Sequence, residues 1–87
     1  MKLSEIRWVN YETEISKNVF YRGEFSDDQP EGFCVVIDRD EQTVYKGQFF
    51  NGNYNGRGEL TYSNGIVFWG DWKDGQAHGQ GVFYDPN

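Results

Sequence analysis

"YKGQFFNGNYNGRGEL", Tyr45 to Leu60, and "FWGDWKDGQAHGQGVF", Phe68 to Phe83, align without a gap and decide the fold. A third stretch, "YRGEFSDDQPEGFCVV" from Tyr21 to Val36, follows the same register with less agreement. The matched columns are glycine or aromatic: Gly23, Gly47 and Gly70; Phe25, Phe49 and Trp72; Gly32, Gly56 and Gly79; and Gly58 with Gly81, where the first copy has Cys34. The copies begin 24 and then 23 residues apart. Agreement at several positions in one register indicates an internal repeat.

Each copy is predicted to form a β-hairpin. In the second copy, Val44 to Phe50 is rich in the aromatic and β-branched residues that favour strands. Asn51 to Asn55 is predicted to be the turn, because Asn and Gly accept a positive φ at little cost, and Gly56 to Tyr62 is the returning strand. One hairpin cannot bury its own apolar face, so stacked copies must share one core. The sequence therefore predicts an all-β fold, a single twisted antiparallel meander of stacked hairpins with about seven strands.

This pattern resembles the MORN (membrane occupation and recognition nexus) repeat, roughly Y-x-G-x-W/F, a turn, and then G-x-x-H/N-G-x-G. The third copy matches it nearly everywhere, with Phe68 in place of Tyr, and the second copy has Asn55 where the third has His78. The first copy is degenerate, with Asp28, Glu31 and Cys34 at motif positions. The resemblance implies an elongated sheet that serves as a scaffold or interaction module. Some members of the family are linked to phospholipid binding and membrane-associated assemblies.

The chain is expected to be one domain, residues 1–87. We place a capping strand at 1–18, a degenerate first repeat at 19–42, the second repeat at 43–65 and the third at 66–87. Ser16-Lys17-Asn18 is the expected turn after the capping strand, and a helix from Ser4 to Ile15 is the alternative for this segment. No cap is predicted after the last strand, which leaves an open edge that invites pairing with another chain.

The charge and the cysteine content of the chain disfavour several kinds of binding partner. The formal net charge is -6 and the eight Lys and Arg are dispersed, which opposes binding to nucleic acid and disfavours attachment to anionic lipid. Cys34 is the only cysteine, so no intrachain disulfide and no cysteine-based metal site can form. The N-terminus lacks the apolar segment of a signal peptide, and a cytoplasmic location is expected.

The residues that suggest chemistry do not form a recognisable site. His78 has no second histidine to share a metal, its counterparts in the repeat are Asn55 and Glu31, and we expect a turn residue. The glycines match no phosphate-binding motif, the acidic runs do not fit a calcium loop, and Cys34 lies in a glycine column of the repeat. We therefore predict no catalytic, cofactor-binding or metal-binding residue, and a protein that is not an enzyme.

The sheet face opposite the predicted core is the more informative feature. Alternation sends several large apolar side chains to this second face, and six of them are the candidate partner-binding residues: Phe20, Phe33, Phe50, Trp69, Val82 and Tyr84. They are either a contact surface or the scattered apolar groups that any sheet exposes. The hypothesis is a non-enzymatic scaffold module that binds a protein partner or itself through this face or through the open edge. The alternative is a peripheral phospholipid-binding module.

Overall fold

The computed structural model describes residues 6–87, with side chains from Trp8 onward. These residues form one antiparallel sheet of seven strands, and each strand pairs only with its neighbours in sequence. The strands are β1 (Ile6–Ser16), β2 (Val19–Ser26), β3 (Gln29–Asp38), β4 (Thr43–Phe50), β5 (Asn53–Thr61), β6 (Val67–Lys73) and β7 (Gln76–Tyr84). The predicted seven-stranded meander is confirmed. The helix that was the alternative from Ser4 to Ile15 is replaced by strand β1 from Ile6 onward, and the start of the predicted capping strand, residues 1–5, lies outside the described residues.

Three hairpins close with two-residue turns in which both central residues have positive φ. The turns are Asp27-Asp28, Asn51-Gly52 and Asp74-Gly75. This conformation matches the twist of the flanking strands, and Asn, Asp and Gly adopt it most readily. The predicted turn from Asn51 to Asn55 was therefore too long. Phe50 pairs directly with Asn53, where β5 begins.

Each hairpin of the repeat also contains a bulge at the same place. Gly47 pairs with Gly58 and Phe49 pairs with Tyr54, so one residue, Gln48, faces three residues on β5. The glycine within each bulge has a positive φ, +88° at Gly56 and +76° at Gly79. The prediction that His78 lies in a turn was wrong, because β7 already begins at Gln76 and His78 is exposed within this bulge.

The core lies on one face of the sheet, and aromatic rings form most of it. Its buried members are Val9, Tyr21, Phe25, Cys34, Val36, Tyr45, Phe49, Leu60, Phe68 and Trp72. On this face, glycines lie directly opposite one another, as Gly47 does with Gly58 and Gly70 does with Gly81. Because glycine has no side chain, each pair leaves room for an aromatic ring. A Cβ at Gly58 would overlap the ring of Tyr45, and a Cβ at Gly81 would overlap that of Phe68. The predicted packing of rings over glycine backbone is therefore present.

Candidate functional site

The structure exposes five of the six predicted partner-binding side chains. The exposed fractions are 58% for Phe33, 55% for Phe50, 47% for Trp69, 63% for Val82 and 63% for Tyr84. The sixth residue, Phe20, is half-buried because the guanidinium of Arg39 lies 4.1 Å from the centre of its ring. A cation over an aromatic face is a favourable contact, so Phe20 already has a partner within the chain.

Three of the exposed residues lie together at the end of the sheet. Trp69 on β6 pairs directly with Val82 on β7, and Tyr84 follows two residues later on the same face. The guanidinium of Arg57 lies 4.8 Å from the ring centre of Trp69 and also forms an ion pair with Asp71, with 2.6 Å between Nε and Oδ1. We call Trp69, Val82 and Tyr84, together with Arg57, the β6–β7 corner.

Phe33 and Phe50 form a separate patch. Phe33 faces Gln48 across the β3–β4 pair, and Phe50 lies two residues further along β4 on the same face. Polar and charged residues separate this patch from the β6–β7 corner, because Lys46 pairs with Glu59, and Gln48 accepts a hydrogen bond from the backbone N–H of Arg57 at 3.0 Å. The six predicted residues therefore do not form one surface.

The two edge strands of the sheet differ in their exposure. All nine residues of β7 are exposed. β1 has two irregularities in its pairing with β2, between Val9 and Thr13 and between Glu14 and Ser16. Its Glu12 forms an ion pair with Arg39 at 2.9 Å. Irregular pairing and charged side chains are features by which proteins protect sheet edges, and β7 ends instead in Val82, Phe83 and Tyr84.

Phe83 is an exposed aromatic residue that sequence reasoning missed, as are Trp8, Tyr11 and Tyr62. Phe83 lies on the core face against Phe68, with 4.8 Å between ring centres, yet 68% of its surface is accessible. The repeat alignment contained the signal, because Phe83 occupies the column of Val36 and Leu60 but stands in the last strand. A core-face residue needs a strand on each side to be buried in a single sheet.

A groove of about 590 Å³ also opens on the core face. Its lining includes the buried Val36 and Phe49, together with Pro30, Asn53 and Tyr54 from the ends of the hairpins. One contact that joins these ends is the hydrogen bond from the backbone N–H of Gly75 to the carbonyl of Tyr54, at 3.0 Å. Nothing in the groove brings ionisable groups together.

The described residues show no cluster of side chains suited to metal binding. No group of three or more His, Cys, Asp or Glu side chains within 6–87 is placed to hold a metal ion. Burial raises the pKa of the Cys34 thiol from 9.0 to about 12, which disfavours the nucleophilic thiolate. Burial likewise raises the pKa of the Tyr54 phenol to about 12. In this part of the chain, no helix is long and apolar enough to cross a membrane.

A comparison with protein-family models supports the three-copy repeat that the sequence shows. The family model for the MORN repeat matches three times, over residues 21–42, 45–67 and 70–87. No curated protein matches the chain. The three matches each cover one of the hairpins formed by β2–β3, β4–β5 and β6–β7.

Proposed function

Because this chain belongs to the MORN repeat family, we propose that it is a non-enzymatic interaction module that binds a protein, either a different partner or a second copy of itself. The observation that carries the proposal is the β6–β7 corner, where exposed Trp69, Val82 and Tyr84 lie directly beside a fully exposed edge strand. Repeat modules of this kind are often involved in protein or membrane interactions.

The composition of the corner suits a protein interface. Tryptophan, tyrosine and arginine are the residues that contribute most to binding energy at protein interfaces, and all three occur here. The ion pair with Asp71 and the contact with Trp69 restrain Arg57, so less side-chain entropy is lost when a partner covers it. The adjacent edge of β7 offers backbone hydrogen bonds to an extended segment of a partner.

The charge of the molecule favours protein over lipid. The chain carries a net charge of -6, and the outward cations Lys46 and Arg57 each have a carboxylate opposite them, Glu59 and Asp71. Anionic lipid surfaces attract clusters of uncompensated lysine and arginine, which this face lacks in the part of the chain that the structure describes.

The test compares two charge-matched double variants in affinity capture from the native source. Val82→Lys with Tyr84→Lys alters the corner, whereas Phe33→Lys with Phe50→Lys adds the same charge to the other exposed patch. Both variants should fold, because all four side chains are more than half exposed. We expect specific partners to be lost with the corner variant and retained with the Phe33/Phe50 variant. Equal retention by both, or equal loss with both, would contradict the assignment of the corner.

Two further measurements separate the remaining possibilities. Sedimentation velocity at micromolar concentration tests self-association, and a species that disappears in the corner variant would identify a second copy as the partner. Flotation with phosphatidylserine-containing vesicles at low salt tests the lipid alternative. We expect no flotation, and flotation of the wild type that survives the corner substitutions would place membrane binding elsewhere on the molecule.

A further inference from the structure

Asparagine is followed by glycine at three places in the chain: Asn51-Gly52, Asn55-Gly56 and Asn64-Gly65. Asparagine is a chemically labile residue, because the backbone nitrogen of the next residue can attack its side-chain amide. Glycine leaves this nitrogen unhindered, since it has no side chain. By sequence the three pairs are equivalent, so their surroundings in the sheet decide which of them reacts.

The first pair is open to solvent. Asn51 and Gly52 are the exposed central residues of the turn between β4 and β5. A Cβ at Gly52 would meet no heavy atom within 4 Å. Among the described residues, neither the side-chain amide of Asn51 nor the N–H of Gly52 has a hydrogen-bond partner. The turn lies beyond the terminal pair of the hairpin, Phe50 with Asn53, so it can open while the rest of the sheet stays paired.

Hydrogen bonds hold both reacting groups of the pair in the turn between β5 and β6. The N–H of Gly65 donates to the carbonyl of Tyr62 at 3.0 Å. The side-chain oxygen of Asn64 accepts a hydrogen bond from the backbone N–H of Ile66 at 3.1 Å. Both bonds must break before the nitrogen of Gly65 can reach the amide carbon of Asn64.

The remaining pair lies within strand β5. Asn55 and Gly56 are half-buried, and Gly56 pairs with Trp72 on β6. On the β4 side, a Cβ at Gly56 would overlap the side-chain amide of Gln48, whose oxygen accepts a hydrogen bond from the backbone N–H of Arg57 at 3.0 Å. Rotation of the Asn55–Gly56 peptide into a reactive geometry would disturb the pairing with β6.

We propose that Asn51 is a site of spontaneous deamidation in the folded protein. The backbone nitrogen of Gly52 gives up its proton to water and bonds to Cγ of Asn51. The bond between Cγ and Nδ2 breaks, and Nδ2 leaves as ammonia with a proton taken from water. The product is a five-membered succinimide ring. Water then opens the ring at one of its two carbonyls, which gives aspartate or isoaspartate, so the whole reaction consumes one water and releases one ammonia.

The two products affect the hairpin differently. Aspartate already occupies the first turn position in the other two copies, as Asp27 and Asp74, and both have a φ of +51°. Isoaspartate adds a methylene group to the main chain of a two-residue turn, so Phe50 and Asn53 can no longer pair directly. Either product adds one negative charge to the net charge of -6. This inference concerns a modification and does not depend on the proposed binding function.

Peptide mapping of incubated protein tests the site. The folded protein and a sample in concentrated urea are kept at pH 8 and 37 °C, digested with trypsin and analysed by mass spectrometry. Residues 47–57 form one tryptic peptide, in which fragment ions separate Asn51 from Asn55, and residues 58–73 form a second peptide with Asn64. In the folded protein we expect Asn51 to react about tenfold faster than the other two, and in urea we expect similar rates at all three. Equal rates in the folded protein, or faster reaction at Asn55 or Asn64, would overturn the proposal.

Two glycine variants provide a matched control. Asn51→Gly removes the side-chain amide from a turn position where glycine accepts the positive φ, and Asn64→Gly does the same in the other turn. Isoaspartyl methyltransferase with labelled S-adenosylmethionine measures the isoaspartate that accumulates in each protein. We expect Asn51→Gly to lower the labelling about fivefold or more and Asn64→Gly to leave it close to that of the wild type. Labelling that persists in Asn51→Gly, or falls equally in both variants, would refute Asn51 as the site.

Discussion

Gly58→Ala should destabilise the sheet, because the ring of Tyr45 occupies the position of the new methyl group. Tyr45 has no accessible surface, and its hydroxyl donates a hydrogen bond to the carbonyl of Gln48 at 2.7 Å. Its ring stacks on that of Tyr54, with 3.9 Å between centres, and meets Trp72 edge-on at 5.7 Å. The ring cannot move aside without disturbing these contacts.

Two opposing effects set the magnitude. Alanine restricts the unfolded chain and so stabilises the fold by about 0.4–1 kcal/mol where the backbone allows it, as it does at Gly58, whose φ is not positive. Overpacking costs about 1–3 kcal/mol. A displaced Tyr45 ring also loses about 1 kcal/mol of hydrogen bonding and about 0.5–1.5 kcal/mol of aromatic contact. The free energy of unfolding should therefore fall by about 2–4 kcal/mol, which lowers Tm by roughly 10–25 °C for a chain of this size.

Urea unfolding followed by tryptophan fluorescence measures the effect, and a double-mutant cycle tests its cause. Tyr45→Leu removes the ring atoms that the new Cβ would overlap, so Gly58→Ala should become neutral or slightly stabilising in that background. A cost in the Tyr45→Leu background as large as in the wild type would refute the argument that ring-over-glycine packing selects glycine here.

Four other substitutions test separate parts of the structure. Tyr45→Phe should lower the free energy of unfolding by about 1 kcal/mol through the lost hydrogen bond, whereas Phe68→Tyr should raise it by about 0.5–1.5 kcal/mol by restoring the repeat hydroxyl, both measured by urea unfolding. Cys34 has a folded-state pKa raised from 9.0 to about 12, so its contribution to stability is complete below pH 9 and is lost as the pH rises towards 12. The stability difference between wild type and Cys34→Ala should shrink by about 1–3 kcal/mol between pH 8 and pH 11, and no change would contradict the burial of the thiol. Gly52→Ala meets no atom within 4 Å but has a φ of +81°, so thermal unfolding should show a cost of about 1 kcal/mol from backbone conformation alone.

Much of the fold could be predicted from the sequence because the three copies of the repeat carry the same pattern of strand and glycine positions. Gly47 and Gly70 mark the outgoing strands, Gly58 and Gly81 mark the returning ones, and all four recur at fixed spacing. Hairpins that follow one another in sequence pair most simply as a meander, so strand number and order followed from the alignment. The length of the turn did not, because Asn53, Tyr54 and Asn55 resemble turn residues although they belong to β5.

The candidate surface was predicted less completely, since alternation assigns residues to a face but not to a place on it. Trp69 and Val82 meet because β6 and β7 pair, whereas Phe33 on β3 is separated from Trp69 by two strands, β4 and β5, which carry the charged pair Lys46 and Glu59. Phe20 is covered by Arg39 from the loop between β3 and β4, a contact that no local pattern contains. The exposure of Phe83 depends on the absence of a neighbouring strand, which is a property of the whole sheet.

The aromatic rings of one repeat pack against the rings of the repeat that follows it. Tyr21 contacts Phe49 of the following repeat at 5.3 Å, and Tyr45 contacts Trp72 of the following repeat at 5.7 Å. Each repeat therefore receives an aromatic cover from the repeat that comes after it. Phe68 in the third repeat is covered by residues of its own hairpin, Trp72 and Phe83. Both edge strands expose aromatic side chains, Trp8 and Tyr11 on β1 and Phe83 and Tyr84 on β7, but only on β7 is the exposed ring, that of Phe83, in the column that a following repeat covers in the first two copies.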